Sequence, residues 1–305
     1  ACYLEIAGVI PVEDFRLDVE ADGVIGITSG LQSNGQGHET VFRKLVSEQL
    51  GVALADTRLG DGNSALVPGG VGSFASRSMM TGGASAMIAC EKLVERIRSE
   101  AGRLLQTSPE MVCYAKGKAI HTATGQSLTL ADIARQGGTL SVVGTCNVPP
   151  TFPNGCHIAE VEIDRATGVT RLVSFVAVDD VGNRINPTLV EGQLHGGIAQ
   201  GLGQFLIEGV HYDEESAQLV TGSFMDYSVP RADDLLNFVT DHVDVPSPNN
   251  PLGAKGVGEA GTSGSLAAAY CAIIDALSPL GIRDFQMPAT APRVWQALRD
   301  ACPGN

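Results

Sequence analysis

The residue with the clearest chemical potential is Glu259, which ends the loop Gly-Ala-Lys-Gly-Val-Gly-Glu at positions 253–259. A carboxylate held among glycines near Lys255, just before a predicted helix capped by Thr262 or Ser263, could be a buried general base with a tuned pKa. Alternatively, Glu259 only complements the dipole of that helix at the surface. The local sequence leaves both interpretations open.

The same loop contains a formal G-x-G-x-x-G between Gly256 and Gly261. A dinucleotide site needs a strand immediately before this motif and an acidic residue about 20 positions after it. The preceding residues 248–255 contain two prolines and cannot form a central strand. Nucleotide binding is therefore a minor hypothesis, which titration with a nicotinamide cofactor would test.

A second loop, Gly-Gln-Gly-His-Glu-Thr at 35–40, opens a predicted helix. Backbone N–H groups at such a position bind anions without a cationic side chain, and the amide of Gln36 can both donate and accept. The alternative is a plain glycine loop capped by Thr40 or His38. His38 is a weak candidate metal ligand, because no second ligand stands at a matching spacing.

Two further segments suit a polar, flat or phosphorylated ligand. Serines surround Arg77 at positions 73–78, a combination of hydroxyl and guanidinium donors that suits phosphate, although an ordinary turn with a surface arginine has the same residues. Gln193 and Gln200 stand seven residues apart on one face of a predicted helix. The glycines between them permit close approach to a ligand, or only to another backbone.

The elements that must position these loops form a mixed α+β pattern. Alternating and helical periodicities predict the secondary structure, and the 37 glycines cluster in loops, including 67–73 and 246–264. Predicted strands cover 15–20, 24–28, 52–59, 111–116, 140–144, 157–164, 171–179 and 238–245. Predicted helices cover 39–50, 83–105, 128–135, 186–205, 265–277 and 291–301. Residues 212–234 are expected to form a surface loop.

Composition excludes several classes of protein. With 44% hydrophobic residues the chain can bury a core, and a formal charge of −14 argues against nucleic-acid binding. No signal peptide or apolar run of about 20 residues is evident, so no membrane span is expected. The seven scattered cysteines without C-x-x-C predict buried thiols in a reducing, cytoplasmic compartment. A nucleophile elbow and a P-loop are also absent from the sequence.

Taken together, the loops resemble one family. Four of them, with two connecting stretches, occur in the same order in the C-terminal half of the large subunit of molybdenum hydroxylases (xanthine dehydrogenase, aldehyde oxidase and aerobic carbon monoxide dehydrogenase), and they lie at 35–40, 72–78, 192–203, 224–230, 253–259 and 287–290. The resemblance covers residues 1–305. It implies the α+β fold of the second molybdopterin-binding domain, with mixed sheets, packed helices and two intertwined subdomains.

The resemblance also implies a reaction. Glu259 would be the general base that takes a proton from a molybdenum-bound hydroxyl, whose oxygen, derived from water, enters a C–H bond of an aldehyde or N-heteroaromatic substrate. Molybdenum would be held by the dithiolene of a pyranopterin, extended in many bacterial members as a cytosine dinucleotide, and not by protein ligands. Electrons would pass to 2Fe–2S and FAD centres on partner subunits or domains.

The family's cofactor contacts carry over to residues that match its motifs, and Arg77 would reach a phosphate. These residues are Gln36, Gly37, His38, Ala75, Ser76, Arg77, Ser78, Gln193, Lys255, Gly256, Val257 and Gly258. The N-terminal half of the large subunit is absent from this sequence, whether the chain is a piece of a larger polypeptide or one half of a split subunit. We therefore expect the isolated chain to bind no molybdenum and to show no turnover. The alternative is a non-catalytic assembly module that docks partner subunits.

Overall fold

The fold is organised around two four-stranded sheets. It is seen in a computed structural model that describes residues 1–60, 62–67 and 69–302. Pro68, in the predicted glycine loop 67–73, lies outside the described residues. The strands are β1 (Cys2–Leu4), β2 (Val12–Val19), β3 (Ile25–Ser29), β4 (Thr57–Gly60), β5 (Val112–Ala115), β6 (Lys118–His121), β7 (Ser127–Thr129), β8 (Leu140–Asn147), β9 (Asn154–Ile163), β10 (Thr170–Asp180) and β11 (Val239–His242). The helices are α1 (His38–Leu50), α2 (Gly83–Leu104), α3 (Leu130–Gly137), α4 (Pro187–Leu206), α5 (Ala260–Leu277) and α6 (Ala291–Ala301).

The first sheet has the strand order β4-β3-β2-β8. In β2 every second residue is buried, so Phe15, Leu17 and Val19 face the core while polar residues alternate with them. Helices α1, α2 and α3 contribute to the same core, for example through Phe42 and Leu93. A smaller antiparallel sheet, β5-β6-β7, lies beside α2.

The second sheet has the order β1-β9-β10-β11 and packs against α4, α5 and α6. Its core includes Phe175 from β10, Phe205 from α4, Ile273 from α5 and Val294 from α6. Strand β1 belongs to this sheet, whereas β2, next along the chain, belongs to the first. The N-terminal segment therefore crosses from one layer to the other.

Helices α4 and α5 approach each other through small residues. A Cβ on Gly197 would lie 2.9 Å from the Thr262 nitrogen, and one on Gly261 would collide with the Leu194 carbonyl. Only glycine permits backbones this close. Gly197 and Gly201 of α4 therefore serve helix packing, which is the plainer of the two interpretations of this segment, whereas a Cβ on Gly192 or Gly196 would meet nothing within 4 Å.

The α+β class is confirmed, and most predicted elements lie within a few residues of their observed bounds. The main correction is at α5, which begins at Ala260 and not at 265. Thr262 and Ser263 lie inside the helix, where their hydroxyls donate to the carbonyls of Gly197 and Glu259. They do not cap it. Strands β1, β6 and β7 are too short for a periodic signal and were not predicted.

Of two expectations from composition, the structure leaves one open and corrects the other. By length and composition alone, Ala260–Leu280 could cross a membrane; here α5 packs against α4 and β9, as the core helices of many globular proteins do. Only Cys90 and Cys146 are buried, while Cys2, Cys113, Cys156 and Cys271 are exposed. The absence of a membrane span stays a prediction.

Candidate functional site

A cavity of about 780 Å³ lies where the N-terminal ends of α1, α4 and α5 meet the loop before α2. This is within the size range of small-molecule and cofactor sites. The structure brings together every residue predicted for the site except Gly37 and Gly256, which flank the cavity without lining it. The lining consists of residues 34–36, 38, 41, 73–79, 181, 183, 185–186, 189–190, 193, 200, 254–255 and 257–259.

The α1 end of the cavity is built by the glycine loop. Gly37 immediately precedes α1 and has a φ of +78°. It lies so close to α4 that a Cβ there would be 2.6 Å from a Leu189 methyl. The buried ring of His38 holds the loop, with Nδ1 2.9 Å from the Leu31 carbonyl oxygen. Gln36 Oε1 accepts a hydrogen bond from the backbone of Asn34 at 2.5 Å. Among the described residues no side-chain hydrogen bond caps α1, and the N-terminal end of a helix is a position where anions bind.

The loop before α2 carries a strained backbone. Ala75 and Ser76 are consecutive residues with left-handed φ values of +48° and +52°, a region that non-glycine residues rarely occupy. The loop is held by the Gly8 N–H, which donates to the Ala75 carbonyl at 2.8 Å. A π-helical turn, Ser78–Gly82, then leads into α2. Such strain and π-turns are concentrated at functional sites.

Arg77 does not have the predicted role of binding a phosphate. Its side chain is fully buried, and NH1 forms an ion pair with Glu13 at 2.6 Å. The remaining contacts are to the carbonyls of Ile10, Val12 and Gly72. The guanidinium therefore holds the cavity loop against β2 and points away from a ligand.

Glu259 lies at the cavity wall but is exposed, which corrects the prediction of a buried base. Ser76 Oγ donates to Glu259 Oε2 at 3.2 Å and accepts from the Glu259 N–H at 3.0 Å. Glu259 is the N-cap residue of α5, yet its carboxylate makes no capping hydrogen bond. The carboxylate is thus held toward Ser76 and not folded back on its own helix.

Lys255 does not tune Glu259. Its ammonium donates to Asp180 Oδ2 at 2.5 Å, and Asp180 also accepts from the N–H groups of Gly182 and Val245. This pair ties the 253–259 loop to the end of β10. Lys255 therefore positions the loop, and Asp180 neutralises its charge at the cavity wall.

The other predicted residues lie beside the cavity or in its wall. Gly256 is a close-approach position, because a Cβ there would lie 2.5 Å from the Ala7 Cβ and 2.6 Å from the Ser76 Cβ. Gln193 and Gln200 both line the cavity from one face of α4, as their spacing predicted. Gln200 Oε1 accepts from the Thr262 hydroxyl at 3.3 Å.

Glu5 is the residue that the sequence did not single out. It follows β1, and burial raises the pKa of its carboxyl group, as does the charge of Glu259, while the Ser76 hydroxyl partly opposes this. Nothing in the local sequence marks Glu5, because Ser76 and Glu259, which act on its carboxyl group, lie 71 or more positions away.

Among residues 1–60, 62–67 and 69–302 no group of three or more His, Cys, Asp or Glu could hold a metal ion. The polar residues that line the cavity are mostly serines, asparagines and glutamines. Such a set binds an anionic organic group, not a bare cation.

The sequence comparisons identify the kind of group. The family model described as "Molybdopterin cofactor-binding domain" matches residues 1–236, most of the chain. The chain belongs to this family. A metal carried by an organic cofactor needs no protein ligand cluster, so the donor set around the cavity fits the anionic pterin.

Relatives of known activity support the assignment. The chain is 31% identical over 97% of its length to the carbon monoxide dehydrogenase large chain of Hydrogenophaga pseudoflava, and 32% identical over 92% to the nicotine 6-hydroxylase large subunit of Paenarthrobacter nicotinovorans. Quinoline 2-oxidoreductase of Pseudomonas putida 86 has the same fold over 98% of the chain, with a TM-score of 0.85 and 31% identity.

The chain spans well under half of each relative. It covers 38% of the carbon monoxide dehydrogenase chain, 36% of the nicotine hydroxylase subunit and 41% of the quinoline oxidoreductase chain. It therefore corresponds to the molybdopterin-binding part of a molybdenum hydroxylase large subunit.

Proposed function

We propose that this chain contributes Glu259 as the general base of a molybdenum hydroxylase, which inserts water-derived oxygen into a C–H bond of an aldehyde or N-heteroaromatic substrate. One observation carries the proposal. Glu259 lies on the wall of the cavity at which the glycine, serine and glutamine loops converge, and Ser76 orients its carboxylate. The names of two relatives include nicotine and quinoline, which are N-heteroaromatic compounds.

The residues of the chain divide the work. The amides of Gln36 and Gln193 line the cavity from the loop before α1 and from α4, so they would donate to the pterin. The hydroxyls of Ser73 and Ser78 donate to the Gln32 carbonyl and to Ser73 Oγ, so they order the cavity wall. When bound, the molybdenum cofactor supplies Lewis-acid activation and accepts two electrons. Glu259 accepts the proton of the attacking oxygen at its carboxylate, and Ser76 Oγ keeps that carboxylate in place.

The complete enzyme needs more than this chain. We propose that the N-terminal half of the large subunit closes the cavity, and that iron–sulfur and FAD subunits carry the electrons onward. The extension of the cofactor as a cytosine dinucleotide and a cytoplasmic location belong to the same proposal. The relatives support this, because two of them are named as large components and the chain spans only 36–38% of their length.

Glu259→Gln in the complete complex tests the role of the base. The amide keeps the shape but cannot accept the proton, so the rate of substrate-driven reduction should fall about 10²- to 10⁴-fold. Molybdenum content and cofactor content should stay at the wild-type level. Glu160→Gln, at an exposed position of β9, is the control and should change neither.

The same experiment distinguishes this proposal from the alternative that the chain is a non-catalytic assembly module. If the chain only docks partner subunits, Glu259→Gln will leave the rate unchanged, and the base assignment fails. A variant that loses molybdenum along with activity would make Glu259 a binding residue and would also contradict the proposal.

A further inference from the structure

The main chain brings Glu5 to the cavity loop. After β1, the Glu5 N–H donates to the Pro153 carbonyl at 2.9 Å, and two residues later Ala7 pairs with Thr151. The next N–H, from Gly8, donates to the Ala75 carbonyl. The segment after β1 therefore runs directly along the strained loop that presents Ser76.

The carboxylate of Glu5 is shielded on both oxygens. Each has almost no solvent-exposed surface, and neither receives a hydrogen bond of good geometry from the described residues. A charged carboxylate in that state costs far more free energy than the protonated form does.

The titratable neighbours of Glu5 supply no positive charge. Tyr3 on its own strand interacts with Glu5 and donates its hydroxyl to Asp179 at 2.7 Å. Glu259, from the start of α5, faces Glu5 with a carboxylate. The nearest ammonium of the loop, Lys255, is already paired with Asp180 on β10.

We propose that Glu5 is a second carboxyl group of the candidate site, which keeps its proton while Glu259 is ionised and so leaves the Ser76 hydroxyl directed at Glu259. The inference rests on the proposed function of Glu259. An ionised Glu5 would compete for the single hydroxyl proton of Ser76 and would place a second negative charge beside Glu259. A protonated Glu5 does neither. Glu5 is thus a positioning residue that acts through Ser76.

Burial and the nearby charge act in the required direction. Both raise the pKa of Glu5, and the hydroxyl of Ser76 only partly opposes them. Two carboxyl groups coupled in this way lose their protons in separate steps. The shielded Glu5 therefore loses its proton at a higher pH than an ordinary glutamate does.

Infrared spectroscopy of the complete purified protein can detect the proton directly. At a pH of about 6, exposed glutamates with an ordinary pKa of about 4.3 are ionised, so a neutral carboxyl band reports a shielded group. We expect such a band in the wild type, its loss in Glu5→Gln, and its retention in Glu162→Gln, an exposed control on β9. Identical carboxyl bands in wild type and Glu5→Gln would overturn the proposal.

The pH profile of substrate-driven reduction gives the functional readout. In the wild type, ionisation of Glu5 should lower the rate about tenfold per pH unit on the alkaline side. Glu5→Gln should keep the acid limb, set by Glu259, and lose this alkaline limb. A variant with both limbs unchanged contradicts the inference even where Glu259→Gln shows the loss expected of a base. An unchanged rate in Glu259→Gln instead removes the proposed function itself.

Discussion

Ser76 holds Glu259 at two atoms. Its hydroxyl donates to the carboxylate Oε2 at 3.2 Å and accepts from the backbone N–H at 3.0 Å. Ser76 does this from a left-handed φ of +52°, which costs backbone energy for any residue except glycine. One strained residue therefore holds both the Glu259 carboxylate and the first turn of α5.

Replacing Ser76 tests this double contact. Ser76→Ala removes the hydroxyl that holds the Glu259 carboxylate in place. Loss of this contact should lower the maximal rate of substrate-driven reduction about tenfold, which corresponds to about 1.4 kcal/mol, close to the usual value for a hydrogen bond to a charged group. Stopped-flow reduction measures this rate.

Ser76→Gly is the matched control, because it also lacks the hydroxyl but relieves the left-handed strain. Its kinetics should match those of Ser76→Ala, while its free energy of unfolding should be about 1 kcal/mol higher. If the maximal rate stays at the wild-type level in both variants, Ser76 does not orient the Glu259 carboxylate.

The buried pair of Arg77 and Glu13 should dominate the stability of the cavity loop. Arg77→Met leaves a buried carboxylate and several carbonyls without a donor, which should cost about 3–5 kcal/mol of unfolding free energy. Arg58→Met is the control. It breaks a largely exposed pair with Glu20 and should cost no more than about 1 kcal/mol.

Denaturant titration measures both variants. Adding Glu13→Leu to Arg77→Met should recover part of the loss, because the stranded charge disappears with it. Wild-type stability in Arg77→Met, together with a loss of cofactor affinity, would restore the phosphate-binding interpretation that the geometry overturns.

The contrast between Arg77 and α4 shows which features a sequence can reveal. Helix α4 begins at Pro187, with Asn186 accepting from the Leu189 N–H, and these are local signals that a sequence carries. Arg77 stands among serines and glycines, which is also how a surface loop looks. Its partner Glu13 lies 64 residues earlier, and only the fold brings the two together.

The same limit applies to the candidate site. Motif order located its segments, since three of them precede helices, the fourth lies within α4, and all are recognisable by their glycines. The charge pairs within it could not be predicted, because Lys255 and Asp180 are 75 residues apart. Glu5 follows a three-residue strand whose partner, β9, begins about 150 residues later, so no periodic pattern indicated its position.

The close packing of α4 on α5 should be sensitive to one added methyl group. Gly197→Ala would press a Cβ against the backbone of Thr262, next to the turn that presents Glu259. We expect a loss of about 1–3 kcal/mol in unfolding free energy, the usual range for overpacking, and a lower reduction rate. Gly196→Ala is the matched control. Its Cβ would meet nothing within 4 Å, so it should stabilise the helix by up to about 1 kcal/mol. Equal effects at the two positions would show that the helices are not in close contact.

The raised pKa of Glu5 also has a consequence for stability. A carboxyl group whose pKa is higher in the folded state binds more protons there than in the unfolded state, so it lowers stability as pH rises from the unfolded pKa toward the folded one. Relative to wild type, Glu5→Gln should therefore gain unfolding free energy between pH 4 and pH 8. Asp132→Asn should show the opposite trend, but below about pH 4, the ordinary pKa of an aspartate, because the hydroxyl and backbone of Thr129 lower the pKa of Asp132. Urea titrations at several pH values measure the unfolding free energy of both variants relative to wild type. If the difference between Glu5→Gln and wild type is constant with pH, Glu5 ionises as easily in the folded protein as in the unfolded chain.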